Sequence, residues 1–263
     1  MPGREENLLL SDLDSGGVLV LTMNRPEAYN ALSVDLIHAL TGAVRAAMEN
    51  RDVRVIVLRG AGRGFSAGHD LAEVLSFESD DEHRALLESC AAMMQLLDSC
   101  PKPVIAAIHG SAFAAGCQLV ATVDLAFAEE TARFSTPGVN IGLFCSTPMV
   151  ALSRAVSSKR SLRMLLTGAP ISAAEAAAIG LINEAVPSER LDETVMSVAR
   201  EIASKSSYVV QLGKAAFKAQ KGMELADAYS YCNEVVVENL KARDASEGIS
   251  AFLEKRDPEW SDS

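Results

Sequence analysis

Two loops in this chain carry residues whose types and spacing suit chemistry at a carbonyl group. Phe65-Ser66-Ala67-Gly68-His69-Asp70-Leu71 follows one apolar run and opens a helical segment. Gly110-Ser111-Ala112-Phe113-Ala114-Ala115-Gly116-Cys117-Gln118-Leu119 follows another and opens a second helix. Small residues in both loops let a ligand lie against the main chain. The first N–H groups of a helix lack partners within it and sit at the positive end of its dipole. Two such amides converging on one point make an oxyanion hole. That device suits a thioester whose carbonyl becomes an enolate, and losing one donor typically costs about 3–4 kcal/mol of transition-state stabilisation.

Two other motifs overlap the first loop. Gly64-Phe65-Ser66-Ala67-Gly68 matches G-x-S-x-G, the nucleophile elbow of serine hydrolases. The elbow needs a strand ending directly before the serine, whereas here the strand ends near Arg59. It also needs a late histidine, and none follows His109. Ser66 reads instead as a small residue that admits close approach. Gly62-Arg63-Gly64-Phe65-Ser66-Ala67 matches the relaxed dinucleotide fingerprint G-x-G-x-x-A. A Rossmann unit would then need a strand and an acidic residue about 20 positions on. Residues 82–98 are helical in pattern instead.

The elements that must position these loops follow from periodicity. Residues 8–13 and 18–23 run apolar or alternate around Asp14-Ser15-Gly16-Gly17, which predicts a hairpin. Ser33 is a helix N-cap ahead of Leu36, Leu40, Val44 and Met48. Residues 53–58, 104–108, 124–128 and 182–186 read as strands. Residues 86–97 have helical spacing, punctuated by Pro101 and Pro103. Ser172-Ala173-Ala174-Glu175 is a capping box. From Leu191 the pattern is helical, so we divide the chain into a core, 1–197, and a helical C-terminal region, 198–263. No linker rich in proline, glycine or serine separates them, so the tail should pack.

Composition narrows the function classes. The 263 residues hold 24 Lys plus Arg against 35 Asp plus Glu, a net charge of −11. That balance argues against a general nucleic-acid binder, which needs clustered cations. No run approaches the roughly 18 apolar residues of a membrane span. The first six residues, Met1-Pro2-Gly3-Arg4-Glu5-Glu6, lack an apolar signal core and are acidic, so a cytoplasmic location is expected. The five cysteines (Cys90, Cys100, Cys117, Cys145, Cys232) are scattered without C-x-x-C, and the four histidines form no H-x-x-x-H. Reduced thiols and no metal site are expected.

Six segments then carry a resemblance. They are Asn24-Arg25-Pro26-Glu27-Ala28-Tyr29-Asn30-Ala31-Leu32, Phe65 through Asp70, residues 110–124, Phe134-Ser135-Thr136-Pro137-Gly138-Val139-Asn140-Ile141-Gly142, residues 166–176, and Gly180-Leu181-Ile182-Asn183. In this order they resemble the crotonase superfamily, the enoyl-CoA hydratase/isomerase family. They are most similar to its animal mitochondrial enoyl-CoA hydratase domain-containing type. The resemblance implies an α/β fold, the ClpP/crotonase-like spiral of ββα units, whose helical C-terminal region makes a homotrimer or hexamer. It implies an acyl-CoA substrate, lyase or isomerase chemistry of fatty-acid type, and no cofactor beyond the coenzyme A that the substrate carries. Neither nucleic acid nor membrane is an expected partner. By resemblance, the backbone amides of His69 and Ala115 form the oxyanion hole. Ala28, Ala31, Ala67, Gly68, Asp70 and Leu71 would line the CoA channel, and Pro137 and Gly142 would border the substrate.

The chain departs from that pattern where proton transfer happens. Hydratases of the family carry two glutamates that activate the added water, and the matching positions here are Gln118 and Gly138. Glutamine does not accept a proton at neutral pH, and general acid–base catalysis is typically worth ~10²–10⁴-fold. The chain is therefore expected to bind and polarise an acyl-CoA yet hydrate it slowly. Decarboxylase, isomerase or thioesterase chemistry, and a non-catalytic acyl-CoA binder or scaffold, stay open. Ala115 replaces the usual glycine, so its amide serves only at negative φ. Gly138 is expected to hold a backbone geometry that a larger residue would strain. Cys145 is a further candidate to touch substrate. Ser66-Ala67-Gly68-His69-Asp70 also resembles the methylmalonyl-CoA decarboxylase branch, which has a tyrosine where Cys145 stands. The motif gives the His69 role to its amide rather than its ring, and His38, His83 and His109 read as structural or solvated. Arg25, Arg63, Lys214, Lys218 and Lys221 are either surface cations or contacts to CoA phosphates.

Overall fold

The computed structural model describes residues 7–263, so the first six residues, on which the cytoplasmic expectation rests, lie outside it. The chain opens with β1 (Leu9–Leu13), β2 (Val18–Met23), α1 (Val34–Glu49) and β3 (Val55–Gly60). Then come α2 (Leu71–Ser76), α3 (Asp80–Ser99), β4 (Val104–Ile108), β5 (Ser111–Phe113) and α4 (Ala115–Thr122). β6 (Leu125–Glu129), β7 (Arg133–Ser135), α5 (Ser146–Ala155), α6 (Ser158–Thr167) and β8 (Ile171–Ser172) follow. α7 (Ala173–Ala178), β9 (Glu184–Val186), α8 (Leu191–Ala203), α9 (Ser207–Gln220), α10 (Leu225–Lys241) and α11 (Arg243–Glu254) complete it.

Six strands form one sheet in the order β1-β2-β3-β4-β6-β9, parallel except for the β1–β2 hairpin. The hairpin turns as the sequence predicts: Asp14 Oδ1 accepts from Gly16 N (2.9 Å) and Val18 N (3.0 Å). Successive strand residues point to opposite faces. Ile56 and Leu58 of β3 accordingly join Leu36, Ile37 and Leu40 of α1 and Met93 of α3 on one face. Val55 and Val57 join Val195, Ala199 and Ala203 of α8 on the other. A parallel strand covered on both faces reads as an unbroken apolar run, which is why β3 and β4 were legible without alternation. A second, three-stranded sheet has the order β5-β7-β8.

α8 crosses the division drawn at 197, because its apolar stripe belongs to the sheet. The helices that leave the sheet begin with α9. α9 is fastened to the core by charge: Lys214 Nζ bonds the Asp124 carboxylate and the Lys102 carbonyl (2.8 Å), and Lys218 Nζ reaches Asp98 (2.9 Å) and Asp124 (3.5 Å). Those two lysines are therefore committed to the fold. At the far end, buried Asp244 accepts from the amides of Ser261 (2.7 Å) and Asp262 (2.9 Å). Asp262 reaches Arg54 (2.6 Å), and Trp260 Nε1 donates to Ser204 O (2.9 Å), so the last residues strap α11 to the α8–α9 corner. Among the described residues no helix is long and apolar enough to cross a membrane.

Candidate active site

The loop after β3 and the loop after β4 run side by side as a short parallel pair. Ser66 N donates to Ser111 O (3.0 Å) and Phe113 N donates to Ser66 O (2.9 Å), setting Ser66 opposite Ala112. That register carries His69 level with Ala115. On its other side the first loop pairs with Leu32, whose N–H donates to Gly68 O (2.7 Å) and whose carbonyl accepts from Asp70 N (3.2 Å). In such a bridge the middle residue turns its own N–H away from the partner. The His69 amide thus faces the α4 side, and Ala115 opens α4. Among the described residues neither amide donates to any protein group.

Glycine makes this approach possible. A Cβ on Gly68 would lie 2.7 Å from Ala114 Cβ and 3.1 Å from Ala115 N, and Gly68 has φ +97°. A Cβ on Gly116 would lie 2.3 Å from Ser66 O. Ala115 itself is helical and at negative φ, the condition its amide needed. The strain sits one residue earlier: Ala114 has φ 48° and ψ −116°, a conformation that favours glycine. Its N–H donates to Ser135 O (2.9 Å) and its carbonyl accepts from Gln118 N (3.0 Å), so β7 and α4 together hold it there. Nothing in the sequence signals this, because alanine is a marker of ordinary backbone.

Polar braces lock the entry strand. Asn30 is fully buried at φ 52°, donates to Ala61 O (2.8 Å) and Gly64 O (2.8 Å), and accepts from Arg25 N (2.9 Å). Ser66 Oγ donates to Asn30 O (2.9 Å), so the serine of the G-x-S-x-G match is a buried brace. Asp70 caps α2 by accepting from Ala72 N (3.1 Å) and Glu73 N (3.3 Å), and it pairs with Arg25 (2.8 Å). The Arg25 guanidinium holds the Asp70 carboxyl below its ordinary range. Asp70 and Arg25 thus pair with each other at the start of α2. Arg63 stays exposed, over the Tyr29 ring at 5.4 Å. Ala28 is half-buried, Ala31 buried, and Ala67 and Leu71 exposed. His109 bonds Gly62 O (3.0 Å) and His83 bonds Ser79 O (2.8 Å) and packs edge-on to Phe77, while His38 is exposed.

Gln118 lies one turn along α4 from Ala115, with 5% exposure, and its Oε1 is buried without a partner. Burial lowers the pKa of the His69 ring, and its Nε2 is likewise unpartnered. Pro137 opens a 3-10 turn, Pro137–Ile141, that ends at Gly142 with φ +78°. Gly142 is exposed, with open space where a side chain would go. Gly138 is buried beneath the chain that follows: Leu143 N donates to Gly138 O (2.9 Å), and a Cβ on Gly138 would fall 2.4 Å from Leu143 O and 3.0 Å from Cys145 Sγ. The expected geometric strain at Gly138 is corrected to a lack of space, since its φ is not positive. Burial raises the Cys145 thiol pKa against the pull of the Gly138 amide, and burial pushes Cys117 up to about 12. Both thiols are protonated at neutral pH.

The sequence profile of the enoyl-CoA hydratase/isomerase family matches residues 14–263. The chain belongs to this family. It is 44% identical to rat "Enoyl-CoA hydratase domain-containing protein 3, mitochondrial" over 97% of its own length and 85% of the relative's. The crystal structure of the human enoyl-CoA hydratase domain-containing protein 3 superposes with a TM-score of 0.94 at 43% identity, covering 97% of this chain and all (100%) of that one. An enoyl-CoA hydratase structure from Mycobacterium smegmatis gives 0.94 at 45% identity, covering 97% and 99%. The architecture is the crotonase fold that the six motifs implied. The mitochondrial designation of the rat and human relatives does not fit the cytoplasmic expectation.

Family membership sharpens the departures. At the two positions that the resemblance matches to hydratase glutamates, the chain has a buried neutral amide, Gln118, and a glycine, Gly138, roofed by its own loop. Sequence reasoning missed Asn30, Ser66 and Ala114 as braces of the two loops, and Thr136, whose buried Oγ lacks a partner among the described residues.

Proposed function

We propose that this crotonase-family chain binds acyl-CoA thioesters and polarises the thioester carbonyl between the N–H groups of His69 and Ala115. The observation that carries this reading is the pair of free amides, set level by the Ser66–Ala112 register and brought close by Gly68. Coenzyme A enters only as part of the ligand. The amides accumulate negative charge on the thioester oxygen and so acidify the neighbouring carbon. With no carboxylate at Gln118 or Gly138, water addition to an enoyl group is slow. The chemistry the site supports best is therefore enolate stabilisation without hydration. The filled space over Gly138 favours, as the second reading, an acyl-CoA binder with no turnover. Exposed apolar side chains on the tail, Leu225 (74%), Tyr229 (67%) and Phe252 (83%), support assembly into a trimer or hexamer.

Calorimetry with crotonyl-CoA, paired with mass analysis of the products, tests the proposal. Binding that survives EDTA, with hydration far below that of a two-glutamate hydratase, is the expected result. Absence of binding at millimolar crotonyl-CoA would defeat both readings. Efficient hydration would show that another residue moves the proton.

A further inference from the structure

The two free amides differ in what stands behind them. Ala115 opens α4, so the helix itself fixes the direction of its N–H. His69 lies in a loop, and the direction of its N–H depends on how the residues on either side are held. Those neighbours bond Leu32 from one side, through Leu32 N to Gly68 O (2.7 Å) and Asp70 N to Leu32 O (3.2 Å). The bridge is a single pair of residues, and its second bond is at the long end of the usual range. A hydrogen bond weakens steeply as its angle closes, and a donor to developing charge works only if it is aimed before the charge appears. The His69 amide therefore needs more than this bridge to hold its direction.

Arg25 supplies the rest. Its Nη1 donates to Ala31 O (2.5 Å) and its Nη2 to Asp70 Oδ2 (2.8 Å). Ala31 precedes Leu32 and Asp70 follows His69, so one planar guanidinium ties the two segments together at the bridge. The fork is itself anchored. Arg25 N donates to Asn30 Oδ1 (2.9 Å), Arg25 O accepts from Asn30 N (2.9 Å), and buried Asn30 holds Ala61 O and Gly64 O at the root of the same loop. Asp70 Oδ1 meanwhile caps α2, and Glu73 of that helix accepts from Val34 N (3.0 Å), the first residue of α1. The Arg25 and Asp70 side chains are only 22% and 18% exposed, so solvent screens their charges less than those of a surface pair.

We propose that Arg25 is a positioning residue for the His69 amide: its guanidinium fork holds the Leu32–His69 bridge and so aims the N–H that polarises a thioester carbonyl. This rests on the reading of the chain as an acyl-CoA binder with its oxyanion hole at His69 and Ala115. Arg25 acts through the backbone and touches neither the acyl group nor the coenzyme A phosphates. Lysine would keep the charge, but its single ammonium on a flexible stem cannot hold two acceptors in one plane. A phosphate contact tolerates lysine, whereas the fork does not.

Free coenzyme A carries the phosphates without the thioester carbonyl, and butyryl-CoA carries both, so the two ligands separate these roles. Calorimetry with each, and infrared difference spectra of butyryl-CoA isotope-labelled at its carbonyl, are compared for wild type, Arg25→Lys, Arg25→Met and Asp70→Asn. Binding to the wild type is expected to move the carbonyl band to lower frequency. Arg25→Lys and Arg25→Met should lose most of that shift while the Kd for free coenzyme A stays within about twofold of wild type. Asp70→Asn should lose a smaller part, and adding it to Arg25→Met should remove nothing further, because both act on one fork. A full carbonyl shift in Arg25→Met would overturn the proposal and leave acyl-CoA binding standing. So would an equal loss of affinity for both ligands in Arg25→Met that Arg25→Lys restores, which would put Arg25 on the phosphates. A wild type that binds neither ligand, or binds butyryl-CoA with no carbonyl shift, would remove the oxyanion-hole reading and this inference together. If Arg25→Met does not fold, Arg25→Lys and Asp70→Asn still decide.

Discussion

The loops that bring His69 and Ala115 together and the loop that roofs Gly138 both depend on glycine, but to opposite ends. In the first pair, Gly68 and Gly116 let two backbones approach, with the free amides of His69 and Ala115 beside the contact. In the second, the absence of a side chain at Gly138 is used up by the chain's own Leu143 carbonyl and Cys145 sulfur. One region brings two free amides to its edge, and the other is closed over Gly138 by its own chain. Backbone chemistry and side-chain chemistry can therefore part company within one site. The amides persist because the fold makes them, whereas the carboxylates depend on two individual residues.

Four substitutions test that contrast, the largest effect first. Gly116→Val drives a side chain into Ser66 O, which a Cβ alone would already approach to 2.3 Å. It should cost about 3 kcal/mol or more and abolish acyl-CoA binding, read by thermal melting and calorimetry. Gly138→Glu must displace the Leu143 carbonyl at 2.4 Å. A loss of about 1–3 kcal/mol is expected, with the loop rather than the oxyanion hole disturbed. If this variant melts like the wild type, the roof over Gly138 is loose and the contrast fails.

Asp70→Asn tests a brace instead of a contact. It removes the ion pair to Arg25 while leaving an oxygen to cap α2, and should cost about 1 kcal/mol or less near neutral pH. Arg25 depresses the Asp70 pKa below its ordinary 3.8. The stabilisation is therefore complete above that value and disappears as pH falls through the lower, folded-state value. The gap in melting temperature between Asp70→Asn and wild type should close in strongly acidic buffer, and a gap that stays constant would assign the effect elsewhere. Ala114→Gly is the smallest change. It relieves a conformation worth about 1–3 kcal/mol of strain and gives back part of that as glycine's chain entropy, for a net gain of about 1 kcal/mol. A variant less stable than wild type would mean that the Ala114 methyl packs better than its backbone suffers.

Much of this molecule was legible as sequence. The hairpin, β3, β4, α1 and the Ser172–Glu175 capping box follow from apolar runs and caps, which are local signals. α3 begins earlier than its apolar spacing suggested, because Ser79 and Glu82 form a second capping box over the acidic first turn. The three-residue strands β5 and β7 left no periodic trace, since their pairing is imposed by the loops around them. At the candidate site, residue types and order pointed to two loops, and the structure pairs them through Ser66 and Ala112. The strain at Ala114, the burial of Thr136 and the roof over Gly138 were not legible, because each depends on what another segment places nearby.

The C-terminal strap also fixes what light can report from this protein. Its single tryptophan is Trp260, with the indole N–H on Ser204 O (2.9 Å) and the ring edge 3.1 Å from where a Gly248 side chain would begin. Intrinsic emission excited at the red edge therefore follows the docking of the strap against α11 and the α8–α9 corner. It carries little signal from the loops around His69 and Ala115. A ligand that fills the site without changing this fluorescence has still bound, and a spectral shift on adding one is evidence that the helical tail has moved.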